Sequence, residues 1–212
     1  MKYKNKFLGE ISIISLKKNN LDDFFLFYSI VTNNEIMSRA SIFNHHVGSL
    51  EEIKKFFDII SCKEKKFKIC FNKILTKNND LVGIIGLFNA KENKNEPEVL
   101  EIGYFLKKEY RNKHITTEIS EILLNNIFEK YPNIEIVGDN LIENKISQRI
   151  LLKLGFKFEK KVINNKGAII NIFKLNKENF LNRKNNNLDI EKELKFIQNY
   201  PETTDKVDSF VL

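Results

Sequence analysis

The chain has few of the residues that mark disulfide-rich or membrane-spanning proteins. Its 212 residues include two cysteines, three prolines, eight glycines and no tryptophan. Because Cys62 and Cys70 have no metal-ligand spacing, we expect both to be reduced thiols. No run of about eighteen apolar residues occurs, which excludes a transmembrane helix and any membrane-spanning role. The apolar stretch near the N-terminus ends at Lys17 and Lys18, too soon for a signal peptide, so the cytoplasm is the expected compartment.

Arginine is also scarce, although the chain as a whole is basic. Lysine and arginine number 35 against 28 acidic residues, a formal net charge of +7, yet only four of them are arginine. A nucleic-acid surface is expected to use arginine for bidentate contacts, so the composition argues against a nucleic-acid partner. Six basic residues fall in two blocks that suit an anionic ligand: Lys107, Lys108, Arg111, Lys113, Lys145 and Arg149.

Residues 100–128 have the pattern of a strand that passes through a turn into a helix. Residues 100–106 alternate as a strand does, and residues 107–113 form a short, basic, polar turn. The helix then has one apolar face, made by Ile115, Ile119, Ile122, Leu123 and Ile127. A strand that enters a helix through such a turn directs the first helical amides at whatever lies above them. The junction is therefore a predicted site for an anion such as a pyrophosphate.

The rest of the pattern predicts a mixed α/β chain in which a largely antiparallel meander precedes this unit. Asn20 is a candidate cap for the first helix, and Ser49 with Glu52 has the spacing of a capping box. Further helices are predicted at residues 21–31, 49–62 and 145–154, the last of which Gly155 ends. Strands are predicted at residues 11–16, 67–75, 81–89, 134–138, 156–163 and 168–175.

The C-terminal residues differ in composition from the rest, and we predict a domain of residues 1–178 followed by an extension of residues 179–212. Residues 189–200 have the pattern of a short helix. The apolar end, residues 209–212, has three candidate roles: packing onto the core, contact with a second protomer in a homodimer, or recognition by a peptide-binding partner. Packing is the favoured role.

Two blocks of the chain resemble the GNAT superfamily of N-acetyltransferases. The first is E-I-G-Y at residues 101–104 with Y-R-N-K-H-I-T-T-E at residues 110–118, and the second is E-N-K-I-S-Q-R-I-L-L-K-L-G-F at residues 143–156. Within the superfamily they resemble the branch that acetylates the N-termini of ribosomal and other proteins. The resemblance covers about residues 11–175. It implies the α/β (α+β) GNAT fold, a mixed and mostly antiparallel sheet of about seven strands flanked by helices.

The chain departs from the family in the phosphate-binding loop. The family's loop runs (Q/R)-x-x-G-x-(G/A), and here the same positions hold Arg111, Asn112, Lys113, His114, Ile115 and Thr116. Glycine serves such loops because the missing Cβ lets backbone amides approach a phosphate closely. Asn112 can adopt a left-handed conformation, but we expect that His114 does not take the place of glycine.

The resemblance implies that acetyl-CoA is the co-substrate. Residues 111–116 would form the pyrophosphate loop, in an altered form. Backbone groups of Tyr104, Phe105 and Leu106 would pair with the pantetheine arm and polarise the thioester carbonyl, and Asn144 would hydrogen-bond the same arm. No metal is implied.

The resemblance also implies two catalytic residues for the transfer of an acetyl group to a primary amine. Glu101 matches the carboxylate that acts as base, usually through water. Many relatives protonate the leaving thiolate with a tyrosine on the later helix, where this chain has Leu151. The protein-N-terminus branch offers a serine instead, here Ser147.

Three functions remain open at this point. The favoured one is acetylation of a protein N-terminus or another primary amine. A second is a GNAT-fold binding or regulatory module without catalysis, which the missing loop glycines and the extension favour. A third is a small-molecule acetyltransferase acting on a polyamine or an antibiotic.

Overall fold

The computed structural model describes residues 1–33, 49–61, 70–88, 99–163, 167–185 and 188–201. These residues form a mixed sheet of eight strands with helices packed against it. The predicted fold class is confirmed, with one strand more than the seven expected. Within these ranges no helix has the length and apolar composition needed to cross a membrane.

The elements alternate between strands and helices after an N-terminal hairpin. The strands are β1 Lys2–Asn5, β2 Gly9–Ser15, β3 Phe71–Thr76, β4 Leu81–Phe88, β5 Val99–Leu106, β6 Glu135–Leu141, β7 Lys157–Ile163 and β8 Ile169–Leu175. The helices are α1 Leu21–Val31, α2 Leu50–Ile60, α3 Ile115–Lys130, α4 Lys145–Lys153, α5 Lys177–Asn182 and α6 Ile190–Asn199, with a 3-10 turn at Lys108–Tyr110. The strand order is β1-β2-β3-β4-β5-β6-β8-β7, antiparallel throughout except for β5 and β6.

The parallel pair β5 and β6 divides after three rungs. The ladder joins Val99–Glu101 to Glu135–Val137 and then stops, although both strands continue. β5 stays paired with β4 up to Leu106, and β6 stays paired with β8 up to Leu141, so each strand is held by its other neighbour. The result is a fork in the middle of the sheet, which we call the β5–β6 fork.

The two faces of the sheet are covered by different helices. Leu100, Ile102 and Tyr104 of β5 point to the face that packs on α3, α4 and α6. Glu101 and Phe105 alternate with them and therefore point to the other face, where Phe105 packs against residues of α1 and α2. The alternation of β5 thus separates the side chains around the fork into two groups.

Phenylalanine fills the core on the α1–α2 face. Five buried rings from two helices and two strands meet there: Phe27, Phe56, Phe57, Phe71 and Phe88. Several pairs are edge-on, such as Phe56 with Phe88, whose ring centroids lie 5.7 Å apart. Burying one such side chain contributes about 2 kcal/mol, so this cluster fixes α1 and α2 on the sheet.

Local sequence signals give most element ends correctly. α1 spans the predicted residues, and the side chain of Asn20 caps it by accepting a bond from the amide of Asp23. Ser49 and Glu52 form the predicted capping box of α2. Gly155 takes a φ of 91° and follows the end of α4, as expected of a left-handed helix stop.

Several features differ from the prediction. β1 was not predicted because its sequence, K-Y-K-N, has no apolar run, and it forms by pairing with β2 in a hairpin with Gly9 at a φ of 68°. The short helix α5, capped by Asn176, was also missed. Cys70 is disulfide-bonded, so the prediction of a reduced thiol there is wrong. The chain's other cysteine, Cys62, lies outside the described residues.

The C-terminal helix α6 packs on the same core as α3 and α4. Leu194 and Ile197 are buried in that cluster, together with Phe180 of α5. The Lys161 side chain, 2% exposed, donates hydrogen bonds from Nζ to the carbonyl oxygens of Gln198 at 3.0 Å and Tyr200 at 2.7 Å. The division of the chain after residue 178 stays a prediction, and residues 209–212 lie outside the described residues.

Candidate active site

A cleft of about 820 Å³ opens at the β5–β6 fork and runs over the start of α3 and the side of α4. Eleven of the twelve site residues predicted from sequence line it: Tyr104, Phe105, Leu106, Arg111, Asn112, Lys113, His114, Ile115, Thr116, Asn144 and Ser147. Glu101, the remaining one, does not line the cleft and is only 5% exposed. Asp139 of β6 lines it and was not predicted.

The loop before α3 reproduces a glycine-like backbone without glycine. Asn112 has a φ of 61° and His114 a φ of 56°, both in the left-handed region that favours glycine. The expectation that His114 would not take glycine's place is therefore wrong for its backbone, since it adopts the conformation. Its side chain is exposed and lines the cleft. α3 begins at the next residue, and its first three residues line the cleft. The amides at a helix start have no partner within the helix, so they are available there to stabilise an anion.

Replacing His114 with glycine is expected to stabilise the protein and to favour coenzyme binding. The left-handed conformation costs a non-glycine residue about 1 kcal/mol, which the H114G variant would recover. Removing the imidazole also clears the approach to the first amides of α3, so acetyl-CoA should bind about threefold tighter. Urea unfolding and isothermal titration calorimetry would measure the two effects.

A matched control for this prediction exists in the turn between β3 and β4. Asn79 has a φ of 66°, and Asn79→Gly should give the same relief of backbone strain without any change in coenzyme affinity. Weaker acetyl-CoA binding by the His114→Gly variant would instead show that the imidazole is itself a ligand.

Five basic side chains line the cleft: Lys108, Arg111, Lys113, Arg149 and Lys153. Arg149 is paired with Glu191 of α6, to which its Nε donates at 3.1 Å. The guanidinium of Arg111 donates from Nε to the carbonyl oxygen of Leu106 at 3.1 Å, and Lys113 donates to the carbonyl oxygen of Glu109 at 2.9 Å. The first bond ties the loop to the end of β5, and the second ties it to the 3-10 turn that follows the strand. Lys107 and Lys145, which the sequence grouped with these residues, do not line the cleft.

A pair of hydroxyl groups lies on the α4 side of the fork. Tyr104 Oη and Ser147 Oγ are 2.9 Å apart, and Asn144 Oδ1 caps α4 by accepting a hydrogen bond from the amide of Ser147 at 3.2 Å. Burial raises the pKa of Tyr104 well above its ordinary value, the hydrogen bond with Ser147 opposes that shift, and the charge of Asp139 adds to it. Tyr104 therefore keeps its proton at neutral pH, within hydrogen-bond distance of Ser147 Oγ.

Leu151 occupies the position where many relatives of the resembled family have a tyrosine. It is buried and packs closely on Gly138: a Cβ added to Gly138 would lie 2.8 Å from a methyl carbon of Leu151. The aliphatic side chain has no proton to give, so the hydroxyl groups that reach this part of the cleft come from Tyr104 and Ser147.

Two carboxyl groups lie on the opposite side of the fork from these hydroxyls. Burial raises the pKa of Glu101 well above its ordinary value, and the negative charge of Asp139 raises it further. Asp139 was missed because the predicted strand ended at Gly138, which placed this residue in a loop. β6 in fact continues to Leu141, and the alternation along it puts Asp139 on the same face as Val137.

The family assignment follows from the sequence profile that the chain matches. A profile described as an acetyltransferase (GNAT) domain matches residues 14–157. The chain belongs to the GNAT acetyltransferase family. No curated protein matches the chain by sequence. Among the described residues, no group of three or more histidine, cysteine, aspartate or glutamate side chains could hold a metal ion.

Solved GNAT structures share this fold at low sequence identity. A GNAT-family acetyltransferase from Bacillus anthracis is 18% identical with a TM-score of 0.58, over 84% of this chain and 99% of that one. Spermidine N-acetyltransferase from Vibrio cholerae, in complex with CoA and spermine, is 16% identical with a TM-score of 0.60, over 81% and 98%. RimL, a ribosomal alpha-N-protein acetyltransferase in complex with coenzyme A, is 15% identical with a TM-score of 0.55, over 78% and 93%.

Proposed function

We propose that this GNAT protein transfers an acetyl group from acetyl-CoA to a primary amine. The observation that carries the proposal is the β5–β6 fork, which opens directly onto the left-handed loop and the N-terminus of α3. The five basic side chains around it supply the charge that a diphosphate and a further phosphate need. CoA complexes of the spermidine enzyme and of RimL support the choice of ligand.

The coenzyme would lie across the fork. Its diphosphate would contact the amides of residues 111–116, and its pantetheine arm would run between the two strands beside Tyr104, Phe105 and Leu106. Asn144 lines the same cleft and would form a further hydrogen bond to the pantetheine arm. Backbone amides of β5 beyond Glu101 have lost their β6 neighbour and would polarise the thioester carbonyl.

Acid and base groups would act from opposite sides of the fork. The carboxyl groups, among them the predicted base Glu101, point to the α1–α2 face, and Ser147 with Tyr104 lies on the α4 face. An amine entering from the first side would lose its proton there, and the leaving thiolate would gain one from Ser147 on the second.

A protein N-terminus is the acceptor we propose first, because the sequence motifs resemble the branch that acetylates N-termini. The spermidine N-acetyltransferase among the structural neighbours makes a polyamine the alternative. A module without catalysis is the second candidate function, and the observation that favours it is the imidazole of His114 standing at the mouth of the loop.

Acetyl-CoA is expected to raise the melting temperature. At a concentration 100-fold above Kd, ligand binding stabilises the folded state by about 2.7 kcal/mol. For a chain of this size that corresponds to a rise of roughly 5–10 °C in Tm. Differential scanning fluorimetry would detect it.

Pantetheine, which lacks the phosphates, is the matched control ligand and should give a much smaller shift because it cannot use the basic side chains. Equal rises in Tm with both ligands would show that the loop and the basic side chains do not contribute to coenzyme binding. An unchanged Tm with millimolar acetyl-CoA would favour the second candidate function, a GNAT-fold module that neither binds the coenzyme nor catalyses acetyl transfer.

A further inference from the structure

We propose that Asp139 holds the acceptor's ammonium group and takes its proton, and that Glu101 beside it is a positioning residue. The proposal rests on the proposed function, and it makes the acceptor a cationic primary amine. It differs from the sequence-based expectation, which gives the role of base to Glu101 alone.

Strand register places the two carboxyl groups side by side on one face of the sheet. Glu101 is paired with Val137 in the last rung before the fork, and Asp139 lies two residues further along β6. Side chains two residues apart on a strand share a face and are separated by about 6.6 Å along it. Asp139 is therefore the first side chain on that face of β6 beyond the point where the strands divide.

Accessibility assigns the two carboxyl groups different roles. Asp139 is half-buried and lines the cleft, so an incoming amine can reach it. Glu101 is 5% exposed, lies below the fork and does not line the cleft. A group must come within hydrogen-bond reach of a proton, directly or through one water, to remove it.

Acidic and basic groups from several elements surround Asp139 or share its cleft. They include Glu101 and Tyr104 on β5, Lys108 in the 3-10 turn, Arg111, Lys113 and His114 in the loop before α3, Arg149 and Lys153 on α4, and Lys160 on β7. Lys160 shares a row with Asp139 through Ile172 but is two strands away, about 10 Å, where solvent screens its charge. Burial and the charge of Asp139 both raise the pKa of Glu101, so a negative charge on Glu101 is disfavoured inside the sheet.

The ammonium of the acceptor passes one proton to the Asp139 carboxylate, and the free amine attacks the carbonyl carbon of the thioester. A carbon–nitrogen bond forms, the carbon–sulfur bond breaks, and the electron pair leaves on sulfur. The thiolate takes a proton from Ser147 Oγ, Tyr104 resupplies Ser147, and Tyr104 regains a proton from solvent. The new amide nitrogen loses its second proton to solvent, and Asp139 then releases the proton it took. Two protons leave and one is taken up, so one proton is released for each amide formed.

The experiment compares Asp139→Asn and Glu101→Gln with Glu143→Gln as control. Glu143 is exposed, lies four residues after Asp139 and does not line the cleft, so its variant makes the same change in charge near the site. The probes are spermidine and a short peptide with a free N-terminus. Acetyl-CoA affinity is measured for every variant by calorimetry, which reports on folding and on the coenzyme site.

We expect Asp139→Asn to lower kcat/KM about 30-fold at neutral pH, within the range of proton-transfer catalysis. The loss should shrink as pH rises towards the pKa of the amine, since the free amine needs no base. Glu101→Gln, which mimics the protonated acid, should cost only about threefold. The Glu101→Gln variant should also have a higher Tm than the wild type at pH 8 and the same Tm at about pH 4. The reason is that a carboxyl group whose pKa is raised by folding destabilises the folded protein once the pH exceeds the pKa of the unfolded chain.

One result overturns the inference while leaving the proposed function intact: Asp139→Asn retaining kcat/KM within about threefold of the wild type while Glu101→Gln loses more. A wild type that binds acetyl-CoA but acetylates neither probe contradicts both the inference and the proposed transfer to a primary amine. Failure of the wild type to bind acetyl-CoA contradicts the proposed coenzyme site as well. If Asp139→Asn does not fold, Asp139→Ser is measured in its place with the same expected loss.

Discussion

Replacing Ser147 with alanine is expected to lower kcat about 100-fold, the lower end of the range for general acid–base catalysis. Ser147 Oγ is the hydroxyl on α4 that lines the fork, and Tyr104 Oη lies 2.9 Å behind it. Without Oγ the thiolate loses the serine donor, and Leu151 has no proton to offer, so Tyr104 is the hydroxyl group that remains nearby. KM for acetyl-CoA should change little, since the hydroxyl acts on charge that develops in the transition state. Steady-state kinetics with a saturating amine would measure both constants.

Two further variants separate this role from a structural one. Tyr104→Phe should lower kcat about tenfold, since Ser147 would remain but would lose its proton supply. Ser120→Ala is the matched control: Ser120 is a buried serine on α3 that does not line the cleft, and its loss should leave kcat unchanged. If Ser147→Ala and Ser120→Ala have equal activity, Ser147 is not the acid.

Replacing Gly86 with valine is expected to destabilise the fold by about 3 kcal/mol, the upper end of the usual cost of overpacking. A Cβ at Gly86 would stand 2.4 Å from the carbonyl oxygen of Cys70 and 2.5 Å from the Cα of Phe71. Both are backbone atoms of the neighbouring chain segment, so no rotamer change can relieve the contact. Urea unfolding should show a lower midpoint with an unchanged m-value.

Ile85→Val is the comparison variant, because it changes the adjacent buried residue of β4 by removing one methylene. It should cost about 1 kcal/mol. If Gly86→Val costs no more than Ile85→Val, β3 and β4 can separate more easily than their contacts indicate.

The parts of the fold that were predictable are those whose signals are local in sequence. The cap at Asn20, the capping box at Ser49 and the left-handed stop at Gly155 each depend on residues within one turn of a helix end. β3 and β4 were predictable because two apolar runs flank the turn-like residues 76–80, and β4 is buried along nearly its whole length. β1 escaped prediction because its four residues have no apolar run, and it is a strand only through its pairing with β2.

The candidate site was predictable where it is a strand, a turn and a helix in succession, and not where it depends on contacts between distant residues. The hydroxyl pair joins Tyr104 to Ser147, 43 residues later, so the sequence assigned only a backbone role to Tyr104. Asp139 was hidden by an early predicted end to β6. The left-handed backbone of His114 could not be expected from its residue type, since that conformation is costly without glycine and is held by the surrounding loop.

A crystal structure of the protein with acetyl-CoA would show whether the β5–β6 fork is the coenzyme site. We expect the diphosphate to contact the amides of residues 111–116 and the thioester carbonyl to lie between β5 and β6, beyond the rung that joins Glu101 to Val137. A coenzyme bound elsewhere, or a fork left empty at saturating acetyl-CoA, would contradict this expectation.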